Sequence, residues 1–489
     1  MVTSKETCQS TLEAQQNKLL DNNSLTTKLP PASLWFSKRL LVAVFMFTCC
    51  VNMTFLRHNI SIAVVDMTST RNETGNSTIS RAPEFNWSSK TIGFVLSIFY
   101  YGGLLSFTGG YIVTKFGGAT SCTLSMMLSG ITTIFQPVIL YYNFPAFLIC
   151  RILTGFFDSF AKVSMLEVCS KWIPKNERSK LMSFIISGFN VGTTMVHGVC
   201  AVLAYSYGWP MIFYATGSIS LVLSILIFIL VKNQPSDDKS ISKKELVYIK
   251  QGVVTSEQKK TVHPYRRILL SPAIWALLMN RFTQFWVTTI LVTCLPLYIK
   301  DLTQQNINKV GLFSSLPNIA SIFMFPICGT FLNYSRKFSA STTRVHKILV
   351  GCALISISVL FGTTAMISNF TVTVFLFVLV QMFLSIVNLI SEIITISIVP
   401  GSSSAIAGLN MFVISMTNIV ARLVTGFMTP TRSMAEWNNC FILSSGIAFL
   451  NAVVFLSYGS SEPQNWATSQ PAPIQQYDPV HSDEKNSKL

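Results

Sequence analysis

Long apolar runs recur along this chain, separated by shorter polar segments. A bilayer core needs about 20 apolar residues per helix, and a window of that length finds twelve runs. They predict spans at 39–65, 91–112, 119–141, 144–167, 181–204, 209–231, 272–298, 309–332, 346–367, 371–396, 404–428 and 437–458. The runs are too long for barrel strands and do not alternate with a period of two. The pattern therefore predicts an all-α membrane protein with twelve transmembrane helices.

A polar segment divides these spans into two sets of six. We predict an N-terminal tail, a first six-helix half, a linker, a second six-helix half and a C-terminal tail at 1–38, 39–231, 232–270, 271–459 and 460–489. We find no obvious sequence repeat between the halves, so this division rests on the number of spans. Six spans, a long middle loop and six more spans resemble the layout of major-facilitator transporters, whose substrate site lies at the midplane between the halves.

Composition supports a membrane protein and excludes other classes. The chain is 50% hydrophobic and 11% charged, with a mean hydropathy of +0.50, whereas soluble proteins average about 25% charged residues. An ordinary cytosolic enzyme and a disulfide-rich secreted module are thereby excluded. We find no nucleophile–base arrangement, phosphate-binding loop or Cys/His cluster. We therefore expect no enzymatic activity, no metal site and no cofactor, apart from a co-transported Na⁺ or H⁺.

The net charge of +16 would suggest a nucleic-acid partner in a soluble protein. Here 25 of the 36 Lys and Arg residues fall on one predicted side of the membrane, 6 on the other and 5 within spans. Because positive charge accumulates in cytoplasmic loops, we expect both termini in the cytosol. The charge thus indicates a lipid bilayer and no nucleic acid.

Three glycosylation sequons cluster in the loop between the first two spans, at Asn72, Asn76 and Asn86. Such sites are usable only on a lumenal or extracellular surface. They support the same orientation.

Charged residues inside spans are candidates for the functional site, because burying a charge in the bilayer is costly. Arg57 and Arg151 lie at similar depth, and two guanidinium groups in a wet cavity suit a carboxylate or phosphate. Alternatively, Arg57 extends to the membrane surface. Arg151, Asp158 and Lys162 share one helical face. Asp158 is either a coupling carboxylate or the ion-pair partner of Lys162 one turn away.

The second half offers fewer clear signals. Glu392 is a candidate to neutralise Arg281, and Arg422 lies near the outer end of its span. We also take Gln284, Trp286 and Tyr101 as candidate substrate contacts, because polar and amphipathic groups at span depth suit a cavity. The alternative for the aromatic residues is helix packing.

Several segments resemble one family of anion transporters, which contains sialin, the vesicular glutamate transporters and the type I sodium–phosphate cotransporters. They are Leu56-Arg-His-Asn-Ile-Ser in the first span, Ser170-Lys-Trp-Ile-Pro-Lys-Asn-Glu-Arg after the fourth, and Gly208-Trp-Pro, Gly311-Leu-Phe-Ser-Ser-Leu-Pro and Gln464-Asn-Trp-Ala, which resemble the cotransporter branch. The similarity covers about residues 36–467. It implies transport of organic anions, or of phosphate with sodium, by alternating access. Arg57 and Arg151 match the family's substrate-side arginines, and Asp158 and Gln284 match polar positions of the fourth and seventh spans.

Some family positions differ. Leu96 stands where relatives use a histidine, Lys162 is an added charge, and Asn333 replaces an acid. An alternative function is therefore a transport-impaired protein of the same fold with a binding or regulatory role. The resemblance implies the plasma membrane, the apical surface included, or an intracellular vesicle membrane.

Overall fold

The computed structural model describes residues 37–68, 71–73, 79–81, 84–252, 265–291, 307–335, 341–367, 369–399, 402–430, 433–464 and 466. In these ranges the chain forms fifteen α-helices. The first half contains α1 (Lys38–Thr68), α2 (Ser89–Gly103), α3 (Gly109–Phe116), α4 (Gly118–Tyr142), α5 (Phe144–Trp172), α6 (Arg178–Tyr207) and α7 (Trp209–Leu230). Next come α8 (Lys243–Gly252) and α9 (Tyr265–Leu270) in the linker. The second half contains α10 (Pro272–Thr289), α11 (Ile307–Ser335), α12 (Thr342–Thr364), α13 (Phe370–Ser397), α14 (Ser403–Met428) and α15 (Met434–Tyr458).

Each of the twelve predicted spans coincides with helical structure. Eleven helical segments within the described ranges are long and apolar enough to cross a membrane. One of them, Thr91–Phe116, joins α2 and α3 through the 3-10 turn Leu104–Thr108. The remaining span begins with α10 at Pro272, as predicted, and its continuation over 292–298 lies outside the described residues. The all-α fold with twelve membrane helices is thus confirmed.

A short hairpin that the apolar pattern did not predict follows α1. Strand β1 (Arg71–Glu73) pairs antiparallel with β2 (Ile79–Arg81), and Asn72 lies opposite Ser80. We call this end of the helix bundle the hairpin side. The predicted glycosylation position Asn86 is exposed here, and Asn76 lies outside the described residues.

The linker packs against the first half at the opposite end, which we call the linker side. Glu245 of α8 accepts hydrogen bonds from the backbone amides of Lys38 and Arg39, at 3.3 and 3.1 Å. It thereby satisfies N–H groups that the first turn of α1 leaves without partners. The buried Arg39 side chain also forms an ion pair with Glu177 at 2.8 Å. The linker thus fixes the start of the first membrane helix.

A second ion pair joins the linker to α1, between Lys38 and Asp238 at 3.5 Å. Burial raises the pKa of Asp238, but two hydrogen bonds from Ser240 and the ammonium of Lys38 outweigh it and hold the pKa below its ordinary value. A depressed carboxyl pKa contributes stability at neutral pH that is lost as the pH falls through the folded-state value. Asp238 is therefore ionised at physiological pH and can pair with Lys38.

Helices α2 and α5 approach each other at a pair of glycines. A Cβ added to Gly155 would lie 1.9 Å from the carbonyl oxygen of Phe99, and one added to Gly102 would lie 2.0 Å from that of Ile152. Both separations are far shorter than van der Waals contact, so only glycine allows the two backbones to approach this closely. The contact brings Tyr100 of α2 close to the charged face of α5.

The two halves meet tightly near the linker side. Helix α14 packs along α2, α3 and α5, and α11 packs along α6. The hydroxyl of Ser404 donates to the carbonyl of Gly110 at 3.3 Å, and a Cβ on Gly110 would lie 2.5 Å from the Cα of Ala405. The hydroxyl of Ser403 also donates to the buried Glu167 at 2.5 Å. The halves are therefore closed against each other at this end.

We expect Gly155→Ala to destabilise the protein, because the new methyl group would push α2 away from α5. Overpacking of this kind costs about 1–3 kcal/mol. Thermal unfolding in detergent, followed by tryptophan fluorescence, measures the change. Gly198→Ala is the matched control, since no atom lies within 4 Å of a Cβ at that helical position. An equal unfolding temperature for the two variants would contradict this account of the α2–α5 contact.

Candidate functional site

A cavity of about 130 Å³ lies between the two halves. A single water needs about 10–15 Å³ by this measure, so the space admits several waters or a small solute. Four helices of each half contribute to its wall: α1, α2, α5 and α6 on one side and α10, α11, α13 and α14 on the other. Its polar and charged lining consists of Thr54, Arg57, His58, Tyr100, Lys162, Asn190, Thr193, Gln284, Thr288, Thr289, Asn318, Gln381, Ser385, Asn388, Glu392, Asn418 and Arg422.

Arg57 lines this cavity and forms an ion pair with Asp158. Its Nη2 lies 2.8 Å from Oδ2 of Asp158, and the two side chains are 16% and 0% exposed. The partner of Asp158 is therefore on α1, rather than Lys162 on its own helix. The other carboxylate oxygen, Oδ1, has no hydrogen-bond partner within the described part of the chain.

Arg151 lies behind the cavity wall and does not line it. Its side chain is fully buried and donates to the carbonyl oxygens of Leu56 and Arg57, at 3.0 and 2.9 Å, and to Oδ1 of Asn59 at 3.2 Å. The guanidinium also lies 5.0 Å from the centre of the Phe99 ring. These contacts hold the segment of α1 that carries Arg57, so Arg151 acts on the site through the position of α1.

The charges of the second half are arranged around Glu392. Arg281, for which sequence offered Glu392 as a candidate partner, forms an ion pair with it at 3.0 Å and also donates to Oε1 of Gln284 at 3.0 Å. Lys162 reaches across from α5 and contacts the other carboxylate oxygen at 2.9 Å. Gln284 lines the cavity, whereas Arg281 is buried behind it.

Arg422 joins the halves nearer the hairpin side. Its guanidinium lies 4.6 Å from the centre of the Tyr100 ring and donates to the Tyr100 hydroxyl at 3.4 Å. No acidic partner for Arg422 occurs within the described residues. Its charge therefore meets an aromatic face and a hydroxyl instead of a carboxylate.

Two predicted contact residues lie away from the cavity. Tyr101 is 40% exposed and does not line the cavity, whereas its neighbour Tyr100 does. Successive residues of a helix are rotated by about 100°, so the two tyrosines face different directions. Trp286 is buried, and its indole N–H donates to Ser444 of α15 at 3.1 Å. It packs α10 inside the second half while Gln284 faces the cavity.

Sequence reasoning counted Lys162 and Arg422 among the intramembrane charges that are site candidates, but it did not place them or Glu392 among the substrate contacts. All three are ionisable residues inside predicted spans, which is by itself a mark of function. Which of them face a common cavity depends on how the halves pack, and that information is tertiary.

The site carries an excess of positive charge. The inner parts of the described spans hold five cations and two carboxylates, which leaves a formal surplus of three positive charges. The residues are Arg57, Arg151, Lys162, Arg281 and Arg422 against Asp158 and Glu392. A low-dielectric enclosure with this surplus of positive charge attracts anions.

Two six-helix halves around a central polar cavity define a membrane carrier, and comparison with known proteins agrees. The model of the Major Facilitator Superfamily matches residues 40–360. The chain belongs to this superfamily, whose members are transporters and not enzymes.

Comparison with individual relatives identifies a branch of the superfamily. It confirms the predicted resemblance to the anion transporters. The chain is 28% identical to sodium-dependent phosphate transport protein 3 of Mus musculus over 410 residues, covering 83% of this chain and 85% of the relative. It is 25% identical to sialin of Homo sapiens over 450 residues, covering 88% and 91%. The proton:xylose symporter XylE shares the fold with a TM-score of 0.69 at 14% identity, covering 87% and 96%.

We expect loss of Arg57 to destabilise the protein more than loss of its partner Asp158. Arg57→Ala leaves a fully buried carboxylate without its partner, which costs about 3–5 kcal/mol. Asp158→Ala leaves Arg57 facing a polar cavity, so its cost should be smaller. The double variant should be more stable than Arg57→Ala alone. Thermal unfolding of the three variants in detergent checks the order, with Arg57→Lys as the charge-preserving control. Additive effects would contradict a direct coupling of the two side chains.

Proposed function

We propose that this protein is a secondary transporter that moves organic anions, inorganic phosphate with sodium, or both, by alternating access. The observation that carries the proposal is the positively charged cavity between the halves. Cationic side chains from both halves line it, namely Arg57 and Lys162 from the first and Arg422 from the second. A bound anion can therefore attract both halves at once, which is what a carrier needs in order to close around its substrate.

The names of two relatives are consistent with a positively charged cavity that binds anions. A phosphate transport protein and sialin are similar to the chain over more than four fifths of its length. Phosphate is an anion, and the guanidinium group binds phosphate and carboxylate alike through paired N–H donors. We propose Arg57 as the principal ligand, positioned by Arg151, with Gln284 and Arg422 completing the site from the second half. Tyr100 takes the aromatic role that we first gave to Tyr101.

Energy for transport would come from a co-transported Na⁺ or H⁺, and we propose Asp158 as the coupling residue. One of its oxygens binds Arg57 and the other has no hydrogen-bond partner within the described residues. An unpaired carboxylate oxygen is a suitable place for a proton or a small cation. Protonation would weaken the bond to Arg57 and change how strongly Arg57 attracts the substrate.

For orientation, we propose that the linker and both termini are cytosolic. The hairpin side is then lumenal or extracellular, where Asn72, Asn76 and Asn86 can accept glycans. The membrane is the plasma membrane, the apical surface included, or that of an intracellular vesicle.

Uptake into proteoliposomes tests the transport function. We expect saturable uptake of radiolabelled phosphate or of an organic anion such as benzoate. Arg57→Ala should raise KM about 10- to 100-fold, because a hydrogen bond to a charged group is worth about 1.5–3 kcal/mol. Arg151→Ala should lower uptake through misplacement of α1. The control Lys115→Ala removes an exposed cation at the linker end of α3 and should leave KM unchanged.

Wild-type uptake in both arginine variants would overturn the site assignment. Absence of saturable flux of any anion in the wild type, with correctly folded protein, would favour the non-transporting alternative.

Coupling is tested separately, with Asp158→Asn. The sodium gradient, the proton gradient and the membrane potential are applied one at a time to find which drives accumulation. If Asp158 carries the coupling ion, the asparagine variant should still exchange labelled for unlabelled anion but should no longer accumulate it against a gradient. Accumulation at the wild-type level would show that Asp158 serves only to pair with Arg57.

A further inference from the structure

One ion pair spans the two halves inside the cavity wall. Lys162 comes from α5 and Glu392 from α13, and their charged atoms lie 2.9 Å apart. Both side chains line the cavity and are only 7% and 5% exposed. Neither the proposed anion ligand Arg57 nor the coupling role of Asp158 requires this pair, so its presence needs a separate explanation.

The two members of the pair depend on each other unequally. Glu392 has a second cation, because Arg281 of the same half contacts its other oxygen at 3.0 Å. If Lys162 left, Glu392 would remain neutralised within its own half. Lys162 has the face of the Phe189 ring at 4.3 Å as a further favourable contact, but its ion-pair partner is Glu392. A cation in this setting needs a negative partner whenever Glu392 is withdrawn.

The position of the pair makes such withdrawal part of the transport cycle. Lys162 and Glu167 are five residues apart on α5, about 7.5 Å along the helix axis, and Glu167 accepts from Ser403 where the halves are closed. The Lys162–Glu392 pair thus lies at the edge of the cavity that faces the linker-side closure. Opening the linker side separates α5 from the second half and must also separate Lys162 from Glu392.

We infer that Lys162 is a second substrate-anion ligand and that Glu392 is a built-in counter-ion which the substrate displaces from it. This inference rests on the proposed anion transport and assigns one more specificity-determining residue to the same cavity. When the cavity is empty, Glu392 holds Lys162 and thereby keeps the halves together. When an anion enters, it takes over Lys162, Glu392 stays with Arg281, and the halves are free to rock. The empty protein should therefore reorient more slowly than the loaded one.

Comparison of anion exchange with net flux tests this directly. Proteoliposomes are loaded with radiolabelled phosphate or benzoate, and efflux is measured into buffer with and without the same unlabelled anion. Wild-type protein should show efflux several-fold faster with anion outside, since return of the empty carrier is then not needed.

Two single substitutions should remove this difference and shift KM in opposite directions. Lys162→Gln leaves the neutral Arg281–Glu392 pair intact, so the protein should fold; its ratio of exchange to net flux should fall towards one and its KM should rise about tenfold, as expected when one charged contact is lost. Glu392→Gln also breaks the pair and frees Lys162 for the substrate, so its KM should fall. This variant also removes the carboxylate partner of the buried Arg281, which keeps hydrogen bonds to Gln284 and Asn388, so thermal unfolding in detergent must first show that the variant is folded. Lys162→Arg retains the ion pair and should keep the ratio above one.

The opposite changes in KM distinguish substrate binding from a structural role, which would lower flux without that sign difference. An unchanged KM and an unchanged exchange ratio in Lys162→Gln, with a transporting wild type, would overturn this inference alone. Absence of anion flux in the wild type would overturn the proposed function and this inference with it.

Discussion

Seven formally charged side chains, five Arg or Lys and two Asp or Glu, lie within the inner parts of the described spans, where hydration is scarce and an isolated charge is costly. That cost determines much of how the helices are arranged. Asp158 pairs with one cation and Glu392 with two. Two of these contacts fix helices within a half: α1 against α5 through Arg57 and Asp158, and α10 against α13 through Arg281 and Glu392. A third contact, from Lys162 to Glu392, joins the two halves. The cations outnumber the carboxylates even after this pairing, and the positive charge that is left over attracts an anion.

The number and positions of the spans were predictable because they follow from one physical length, the thickness of the bilayer. The apolar pattern located all twelve membrane-spanning segments, and the Arg281–Glu392 pair was a candidate because few Lys, Arg, Asp or Glu residues lie in the second-half spans. Other features depend on tertiary packing. Sequence offered Lys162, one turn away, as a partner for Asp158, but the actual partner Arg57 is 101 residues distant. The choice between Tyr100 and Tyr101 likewise depends on how α2 is rotated, which the glycine contact with α5 decides.

The arginine predicted as a direct ligand illustrates the same limit. Arg151 and Arg57 look equivalent in sequence, since both are single cations at similar depth in their spans. In the structure they differ, because Arg151 is fully buried against carbonyl oxygens of α1 while Arg57 faces the cavity. A guanidinium has five N–H donors, so it can either hold a backbone segment or bind a ligand, and sequence alone does not distinguish the two uses.

The ion pairs also reveal a correspondence between halves that the sequence does not display. In the first half an arginine of the first span pairs with an acid of the fourth, and in the second half Arg281 and Glu392 occupy the first and fourth spans in the same way. The two halves of this superfamily are parallel repeats, so an arginine and an acid at equivalent spans are consistent with that relation. The symmetry is broken by Lys162, which follows Asp158 by one turn and pairs outside its own half. Among the described residues, Lys162–Glu392 is the one ion pair that joins the halves. Separation of the halves breaks this pair but leaves the arginine–carboxylate pair within each half neutralised.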